Sequence, residues 1–302
     1  MTKTYDLIII GAGPAGLTAA IYAARYKLNF IVIGKILGGT INRAYEITNF
    51  PSYEKITGLE FIQKLEKQVK ELGVVIKQEE VNNIEKKKDE FMLITNKNKY
   101  LTKNIILATG TEKGKLNLEN EERLTGHGIS YCTTCDAGFF KDKIVSVVGG
   151  SNSALKSALL LSKYAKKVYI IYRRDKFHRG EPLLVDEVNE NKKISKIFNS
   201  RITKLTGKEE LEEVEIETKN KKTKMKMDGL FVEIGNVPND LLARKLKLKF
   251  DGDYIEVNKK QETNVEGVYA AGDTTNNPLK QIITSCSEGA IAANTAFKEL
   301  NK

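Results

Sequence analysis

Two cysteines near the middle of the chain have the spacing that most clearly indicates chemistry. Cys132 and Cys135 lie in the stretch Tyr131-Cys132-Thr133-Thr134-Cys135-Asp136, which also places a carboxylate directly after the second sulfur. A C-x-x-C pair puts both sulfurs on one turn, where they can form a small disulfide and break it again. At a helix start, unpaired N–H groups and the helix dipole favour the thiolate. We interpret the pair as a redox-active dithiol.

The same spacing also suits two ligands of a metal ion. Zinc requires four ligands, usually two such pairs or one pair with histidines. Only Cys286, His127 and His178 remain in the chain, and none of them has paired spacing. The sequence therefore favours redox chemistry, and we predict no metal site.

The composition narrows the class of protein. With 302 residues, 41% of them hydrophobic, the chain can bury a large core, and its length suggests about two domains. The N-terminus lacks a signal-peptide layout, the apolar stretches are too short to span a bilayer, and the few cysteines fit a reducing compartment. We expect a cytoplasmic enzyme that is not bound to a membrane.

The net charge of +10 comes from 49 lysines and arginines against 39 acidic residues. The lysines are spread through mixed Lys/Glu segments such as Glu85–Asp89, and no nucleic-acid motif accompanies them. We therefore interpret the charge as a solvated surface and predict no nucleic-acid partner. A basic surface can still attract an acidic protein partner.

The elements around the dithiol include a nucleotide-binding pattern near the N-terminus. The apolar run Asp6–Ile10 predicts a buried parallel strand, Leu17–Tyr26 predicts a helix, and Phe30–Ile33 predicts the next strand. Between the first strand and the helix lies the G-x-G-x-x-G turn Gly11–Gly16. Its glycines allow a tight turn, close approach of a pyrophosphate and close helix packing, and the helix N-terminus attracts phosphate. The acidic residue that usually binds the ribose is replaced by Gly34-Lys35.

The following 80 residues or so predict the rest of the first domain. The predicted elements are an irregular stretch over Gly38-Gly39-Thr40 and Thr48–Pro51, an amphipathic helix over Gly58–Leu72, a strand over Val74–Ile76, an antiparallel ribbon over residues 81–101, and a buried strand over Asn104–Leu107 that ends at Ala108-Thr109-Gly110.

A second dinucleotide turn follows the dithiol. A strand over Lys143–Val148 leads into Gly149-Gly150-Ser151-Asn152-Ser153-Ala154, a helix through Tyr164 and a strand over Val168–Tyr172. Ser151 replaces the second glycine and Ala154 the third. Alanine is an accepted variant, whereas serine adds a side chain where the backbone should approach phosphate.

Arg173-Arg174-Asp175 follows the second strand, where arginines accommodate the 2′-phosphate of NADP. Lys176, His178 and Arg179 add positive charge. The alternative is a pair of exposed arginines on a loop.

Near the C-terminus, Gly235–Asn239 predicts a crossing between domains, and Gly267–Asp273 predicts a strand that delivers an aspartate at its carboxyl end. A long helix follows from Lys280 to Leu300. We predict that Cys286, within this helix, is a small buried residue and not a reactive thiol.

Taken in order along nearly the whole chain, these motifs resemble the low-molecular-weight thioredoxin reductases, which are FAD-dependent pyridine nucleotide-disulfide oxidoreductases. The resemblance implies an α/β fold with two Rossmann-like dinucleotide-binding domains of the three-layer ββα type, the second inserted into the first. Residues 1–113 and 240–302 would form the FAD domain, and residues 114–239 the NAD(P)H domain with the dithiol. It also implies a homodimer whose domains rotate against each other, with hinges near Lys113–Lys115 and Gly235–Asn239.

The resemblance also implies roles for individual residues. Cys135 would face the flavin, Cys132 would attack the disulfide of thioredoxin or of a thioredoxin- or glutaredoxin-like protein, and Asp136 would move protons. Thr40 stands where many relatives have glutamine. The FAD contacts would be Gly11, Gly13, Pro14, Ala15, Gly16, Gly39, Thr40, Asn49, Ala108, Thr109, Gly110, Gly272, Asp273, Lys280, Gln281 and Ile282. The NADPH contacts would be Gly149, Gly150, Ser151, Asn152, Ser153, Arg173, Arg174, His178 and Arg179.

Three alternatives stay open at this point. Ser151 and His178 depart from the NADPH motifs, so the same disulfide reductase could use NADH, ferredoxin or a deazaflavin as donor. A small-molecule dithiol oxidase would share the fold and the dithiol. A flavin-bound redox sensor would not turn over, although Cys132, Cys135 and Asp136 are all present.

Overall fold

The computed structural model describes residues 4–178 and 180–301. The described helices are α1 (Pro14–Arg25), α2 (Gly58–Glu71), α3 (Glu121–Leu124), α4 (Thr133–Asp136), α5 (Asn152–Ser162), α6 (Pro182–Glu190), α7 (Leu241–Lys245) and α8 (Ile282–Leu300). The described strands are β1 (Thr4–Ile10), β2 (Phe30–Ile33), β3 (Ile76–Lys77), β4 (Val81–Lys87), β5 (Glu90–Thr95), β6 (Lys99–Leu107), β7 (Thr111–Lys113), β8 (Ile129–Ser130), β9 (Ile144–Val148), β10 (Lys167–Ile171), β11 (Ile194–Ile197), β12 (Ser200–Thr206), β13 (Glu213–Thr218), β14 (Lys221–Lys226), β15 (Gly229–Val232), β16 (Asn236–Pro238), β17 (Phe250–Asp251), β18 (Tyr254–Ile255) and β19 (Val268–Ala270).

The chain forms two compact units. The first unit joins Met1–Glu112 to Val237–Lys302, and the second unit is the intervening segment Lys113–Asn236. The second unit is therefore an insertion within the sequence of the first.

The sheet of the first unit has the strand order β3-β2-β1-β6-β5-β4, and β19 pairs with the second half of β6. All pairs among β3, β2, β1, β6 and β19 are parallel. The β5–β6 and β4–β5 pairs are antiparallel. The parallel register of Leu7 with Phe30 confirms the first predicted βαβ unit. The edge strand β3 was predicted over Val74–Ile76 but spans Ile76–Lys77. The pairing of β2 with β3 begins with Val32 opposite Ile76.

Strand β1 is buried on both faces of this sheet. Leu7 and Ile9 belong to one apolar cluster, whereas Ile8 and Ile10 belong to the other. A strand covered on both sides needs apolar residues at consecutive positions, and this explains the unbroken run Leu7–Ile10.

Helices α1 and α8 cover one face and approach each other closely. A Cβ atom on Gly289 of α8 would lie 2.1 Å from the carbonyl oxygen of Ala15 in α1. The neighbouring Ala292, Ala293 and Ala296 are fully buried. The small residues of α8 therefore set the distance at which it packs beside the first glycine turn.

The second unit repeats the pattern. Strands β11, β10, β9, β15 and β8 form a parallel sheet in that order, and β12, β13 and β14 form an antiparallel sheet. The predicted helix through Tyr164 ends at Ser162. The predicted α/β fold class is confirmed. Among the described residues, no helix is long and apolar enough to cross a membrane.

Candidate functional site

The first glycine turn is built from close backbone contacts. Gly11 has a φ of +114°, and a Cβ atom there would lie 2.0 Å from the carbonyl oxygen of Ala108. A Cβ atom on Gly16 would lie 1.9 Å from the carbonyl oxygen of Gly11. These two positions therefore require glycine for the fold itself.

Gly13 differs from its two neighbours because space is open beside it. The nearest atom to a Cβ on Gly13 would be the carbonyl oxygen of Gly38, at 3.9 Å. Gly13 precedes α1, Pro14 is the first residue of that helix, and Ala15 is buried behind it. A bare helix N-terminus with open space before it fits a pyrophosphate group.

A second segment of the first unit lies against this turn. Gly38 donates its backbone N–H to the carbonyl oxygen of Ala12 at 2.7 Å, and a Cβ on Gly39 would lie 3.6 Å from the Cα of Gly13. Thr40 is exposed in the 3-10 helix Gly39–Arg43 that follows. Gly39 thus lies beside the first turn, and Thr40, the other predicted FAD contact of this segment, follows it in the chain.

Strand β6 ends at the same edge of the sheet. Ala108 donates its N–H to the carbonyl oxygen of Ile10 at 2.8 Å, and Gly110 accepts from the N–H of Asn239 at 3.0 Å. The hydroxyl of Thr109 donates to the carbonyl oxygen of Asn239 at 2.9 Å, and it lies 3.4 Å from the hydroxyl of Thr274. The predicted segment Ala108–Gly110 therefore lies against Gly11 and Asn239, and Thr109 also approaches Thr274 in the loop after β19.

The loop after β19 carries Asp273. Gly272 has a φ of +84°, and a Cβ there would meet the Cβ of Ala15 at 3.0 Å. Asp273 accepts a hydrogen bond from the hydroxyl of Ser285 at 3.2 Å. Burial raises the pKa of Asp273, and the hydrogen bond from Ser285 and the charge of Lys280 only partly offset this.

Glu288 of α8 holds this loop, and the sequence analysis missed it. Its carboxylate accepts from the N–H of Gly272 at 2.7 Å, from the hydroxyl of Thr275 at 2.9 Å and from the side chain of Asn277. Glu288 is buried. Helix α8 also carries Glu299 near its end, so no local pattern distinguished Glu288 as a buried residue.

Residues distant in sequence meet where the flavin ring is predicted. Asn49 donates its side-chain N–H to the side-chain oxygen of Gln281 at 2.9 Å, although 232 positions separate them. Lys280 lies 4.1 Å from the ring centre of Tyr254 and donates to the carbonyl oxygen of Thr275. Burial lowers the pKa of Lys280. Ile282 is the first residue of α8.

The third cysteine lies close to the first turn as well. The Sγ of Cys286 is 4.0 Å from the carbonyl oxygen of Pro14, and burial raises the pKa of its thiol. A thiol that stays protonated is a poor nucleophile. Cys286 is only partly buried, so the predicted burial is incomplete, although the raised pKa disfavours the reactive thiolate.

In the second unit, Cys132 and Cys135 form a disulfide. Cys132 directly precedes α4, and its carbonyl oxygen accepts the N–H groups of Cys135 and Asp136, both at 3.1 Å. The predicted helix start at the dithiol is therefore present. Cys135 is exposed, whereas Cys132 is partly buried.

Ser130 connects the dithiol to the predicted acid. Its hydroxyl accepts the N–H of Cys132 at 3.0 Å and donates to the carboxylate of Asp136 at 2.7 Å. Ser130 is buried at the end of β8. One hydroxyl thus fixes the carboxylate relative to the first cysteine.

A buried carboxylate, that of Glu121, supports the residue before the dithiol. The hydroxyl of Tyr131 donates to Glu121, which also accepts the backbone N–H of Leu116 at 2.7 Å. Burial, together with the hydrogen bond to Glu121, raises the pKa of Tyr131. No sequence pattern predicted this pair, because Glu121 lies in a charged stretch that is typical of a surface.

The second glycine turn shares only part of the first turn's geometry. Gly149 has a φ of +146°, and a Cβ there would lie 2.3 Å from the carbonyl oxygen of Glu233. A Cβ on Gly150 would lie 2.5 Å from the ring of Tyr172. Ser151 precedes α5, and Ala154 is fully buried against the sheet.

The start of α5 makes polar contacts of its own. The side chain of Asn152 donates to the carboxylate of Glu181 at 2.6 Å and accepts the N–H of Glu181 at 2.7 Å. Ser153 is exposed. Arg173 and Arg174 are exposed after β10, and His178 contacts the carboxylate of Asp175 at 2.8 Å. Arg179 lies outside the described residues.

Comparison with known proteins places these features in a family. The profile described as pyridine nucleotide-disulphide oxidoreductase matches residues 5–289. The chain belongs to this family. A thioredoxin reductase of Peptoclostridium acidaminophilum is 38% identical over an alignment of 310 residues. The alignment covers 99% of this chain and 98% of the relative.

Solved structures of family members agree with the fold. A thioredoxin reductase of Lactococcus lactis has a TM-score of 0.94 and 33% identity, with 98% of each chain covered. A ferredoxin-flavin thioredoxin reductase of Clostridium acetobutylicum has a TM-score of 0.55 and 32% identity, covering 99% of this chain and 98% of its own.

Proposed function

We propose that the chain is a thioredoxin-disulfide reductase that passes electrons from NADPH through FAD and the Cys132/Cys135 dithiol to thioredoxin or a thioredoxin-like protein. The disulfide between these two cysteines, at the start of α4 and beside Asp136, carries the proposal. Full-length similarity to thioredoxin reductases supports the substrate class. We further infer a cytoplasmic homodimer from the same resemblance.

The first unit fits FAD because its glycine turn leaves a cradle beside Gly13 that a larger residue would fill. Gly11 to Gly16 would hold the pyrophosphate, Asp273 the ribityl chain, and Asn49, Lys280 and Gln281 the ring system. FAD, when bound, supplies a two-electron carrier between a hydride donor and a disulfide. The second unit would bind NADPH through residues 149–153 and the two exposed arginines.

The cysteines then act by thiol–disulfide exchange. Reduction of the Cys132–Cys135 disulfide adds two electrons and two protons, breaks the S–S bond and yields two thiols. The Cys132 thiolate attacks the substrate disulfide, forms a mixed disulfide and releases one substrate thiol. Cys135 attacks the Sγ of Cys132, which releases the second substrate thiol and restores the disulfide. Asp136 would hold or move the protons at the two sulfurs, and Ser130 keeps it in place.

The test is reduction of insulin or DTNB by the FAD-loaded protein with thioredoxin and NADPH. Cys132→Ser should abolish turnover, whereas Cys286→Ser, the matched control, should retain it. Full activity of Cys132→Ser would refute the mechanism.

A second candidate differs only in the electron donor. The ring of Tyr172 lies over Gly150, and the side chain of Asn152 is hydrogen-bonded to Glu181. The second turn therefore leaves less space for a pyrophosphate group than the first. This favours a donor such as ferredoxin, a deazaflavin or NADH. Anaerobic mixing with NADPH should bleach the flavin band within seconds if NADPH is the donor. Bleaching by reduced ferredoxin alone would establish the second candidate.

A further inference from the structure

Another buried carboxylate of the second unit lies behind the dithiol turn and has no part in the mechanism above. Glu233 follows β15 and is 6% exposed. Its Oε1 accepts a hydrogen bond from the hydroxyl of Ser157 at 2.9 Å and lies 3.5 Å from the hydroxyl of Thr133. Thr133 in turn donates to Ser157 at 2.9 Å. Since Thr133 follows Cys132 directly, two buried hydroxyls join the carboxylate to the C-x-x-C turn.

Lys113 supplies the opposite charge. Its Nζ pairs with the second carboxylate oxygen of Glu233, and the two side chains are only 20% and 5% exposed. Removal of one partner from a buried pair leaves an uncompensated charge in a poorly solvated site. Lys113 is the last residue of β7 and the first residue of the second unit.

An apolar residue would suit position 233 better if packing were its only role. The three preceding residues, Leu230 to Val232, are fully buried, and burial of an ion pair is often less favourable than burial of an apolar pair of similar volume. The polar partners of Glu233 are instead Lys113 and two hydroxyls, one of them inside the C-x-x-C sequence. The arrangement therefore places a balanced pair of charges beside the redox centre.

We propose that Glu233 is a positioning residue for the dithiol: it holds Thr133 through Ser157, and together with Lys113 it sets the charge that the two thiols experience. This inference rests on the proposed disulfide reductase function. A negative charge nearby disfavours a thiolate and a positive charge favours it. Removal of Glu233's charge and removal of Lys113's charge should therefore act on the thiols in opposite directions.

The experiment measures the alkylation of the reduced thiols directly. FAD-containing full-length protein is reduced with dithiothreitol, freed of reductant, and treated with iodoacetamide over a range of pH, with each cysteine followed by mass spectrometry. The variants are Glu233→Gln, Lys113→Met and the double variant, and Lys115→Met is the matched control, since Lys115 is exposed. Circular dichroism and flavin content establish that each variant is folded.

We expect Glu233→Gln to move the alkylation midpoint to lower pH and Lys113→Met to higher pH. Each shift should be on the order of 0.5 pH unit, about threefold in rate at a fixed pH below the midpoint. The double variant and Lys115→Met should stay within about twofold of the parent protein. Shifts of the two single variants in the same direction, or unchanged midpoints, would overturn the proposal.

Two features keep this test decisive. If Lys113→Met fails to fold, the near-isosteric Glu233→Gln variant still tests the direction, and an unchanged midpoint in that variant overturns the proposal. The assay also contains neither NADPH nor thioredoxin. A parent protein that fails to reduce thioredoxin would refute the proposed function, whereas the alkylation midpoints test the role of Glu233 separately.

Discussion

The two glycine turns of the chain look alike in sequence but differ in what lies beside them. Gly11 and Gly149 both have positive φ angles, and each abuts a carbonyl oxygen of a neighbouring strand end. The second position separates them: Gly13 faces open space, whereas Ser151 adds a side chain and Tyr172 covers the adjacent Gly150. The first glycine of each turn is therefore required by the βαβ fold. The residue at the second glycine position, Gly13 or Ser151, determines how closely a phosphate can approach the backbone.

The largest effect should come from a Cβ atom at the first glycine of either turn. Gly11→Ala would place that atom 2.0 Å from a backbone oxygen at a φ of +114°. We expect a loss of at least about 3 kcal/mol in the free energy of unfolding, since overpacking and backbone strain add. Gly149→Ala should have a similar effect on the second unit. Urea unfolding followed by circular dichroism measures both.

Gly13→Ala is the matched control for that prediction. Its Cβ would meet no atom closer than 3.9 Å, so the free energy of unfolding of the apoprotein should change little. FAD affinity should fall clearly, because the methyl group fills the space beside the helix N-terminus. Equal losses in the free energy of unfolding of Gly11→Ala and Gly13→Ala would show that the fold requires glycine at both positions.

The next effect concerns the arginines after β10. If Arg173 and Arg174 bind the 2′-phosphate, the double variant to alanine should lose about 100-fold in kcat/KM with NADPH, since each charge-assisted hydrogen bond contributes about 1.5 kcal/mol. Activity with NADH should change little. Arg201→Ala is the control, because Arg201 is an exposed arginine of the same unit that pairs with Glu217. Equal losses with NADPH and NADH would contradict a role in reading the phosphate.

Ser151→Gly should make the second turn resemble the first. Removal of the side chain lets the backbone approach the pyrophosphate, and we expect KM for NADPH to fall about fivefold, which corresponds to about 1 kcal/mol. Stopped-flow measurement of flavin reduction separates binding from hydride transfer. An unchanged KM would show that the side chain of Ser151 does not limit access to the second turn.

The comparison also explains what could be predicted from the sequence. The glycine turns, the dithiol turn and the buried strands depend on residues that are close in the chain, so spacing and apolar runs predicted them. The α/β class, which was confirmed, could also be predicted because each βαβ unit is continuous in the chain. The family resemblance implied that Asn49 and Gln281 both contact the flavin region. Their hydrogen bond to each other was not predicted, because no local pattern connects residues 232 positions apart.

Buried carboxylates could not be predicted from local pattern. Glu121, Glu233 and Glu288 are each about 5% exposed, yet a single glutamate in a sequence is typical of a surface. Their partners are backbone N–H groups, hydroxyls, the side-chain amide of Asn277 and one lysine. Only the folded chain shows that these groups converge. The ring of Tyr172 over Gly150 was missed for the same reason.

The smallest effect should come from Asp273, the partly buried carboxylate of the first site. Burial raises the pKa of Asp273, so between the ordinary value of 3.8 and the raised value the folded state binds more protons than the unfolded state. The free energy of unfolding of the apoprotein should therefore fall as pH rises through this window and stay lowered above it. Asp273→Asn should remove this pH dependence and stabilise the apoprotein at pH 7 by about 0.5 kcal/mol.

The same substitution should weaken FAD binding, because an amide is a poorer acceptor than a carboxylate for the ribityl hydroxyls. Thermal unfolding of the apoprotein between pH 4 and 8, with and without added FAD, measures both effects. Asp253→Asn, at an exposed turn of the same unit, is the control. A variant that is less stable than the parent at pH 7 without FAD would show that the hydrogen bond from Ser285 outweighs the cost of burying the charge. If the apoprotein gains stability while FAD affinity falls, Asp273 is retained for the cofactor at the expense of the fold.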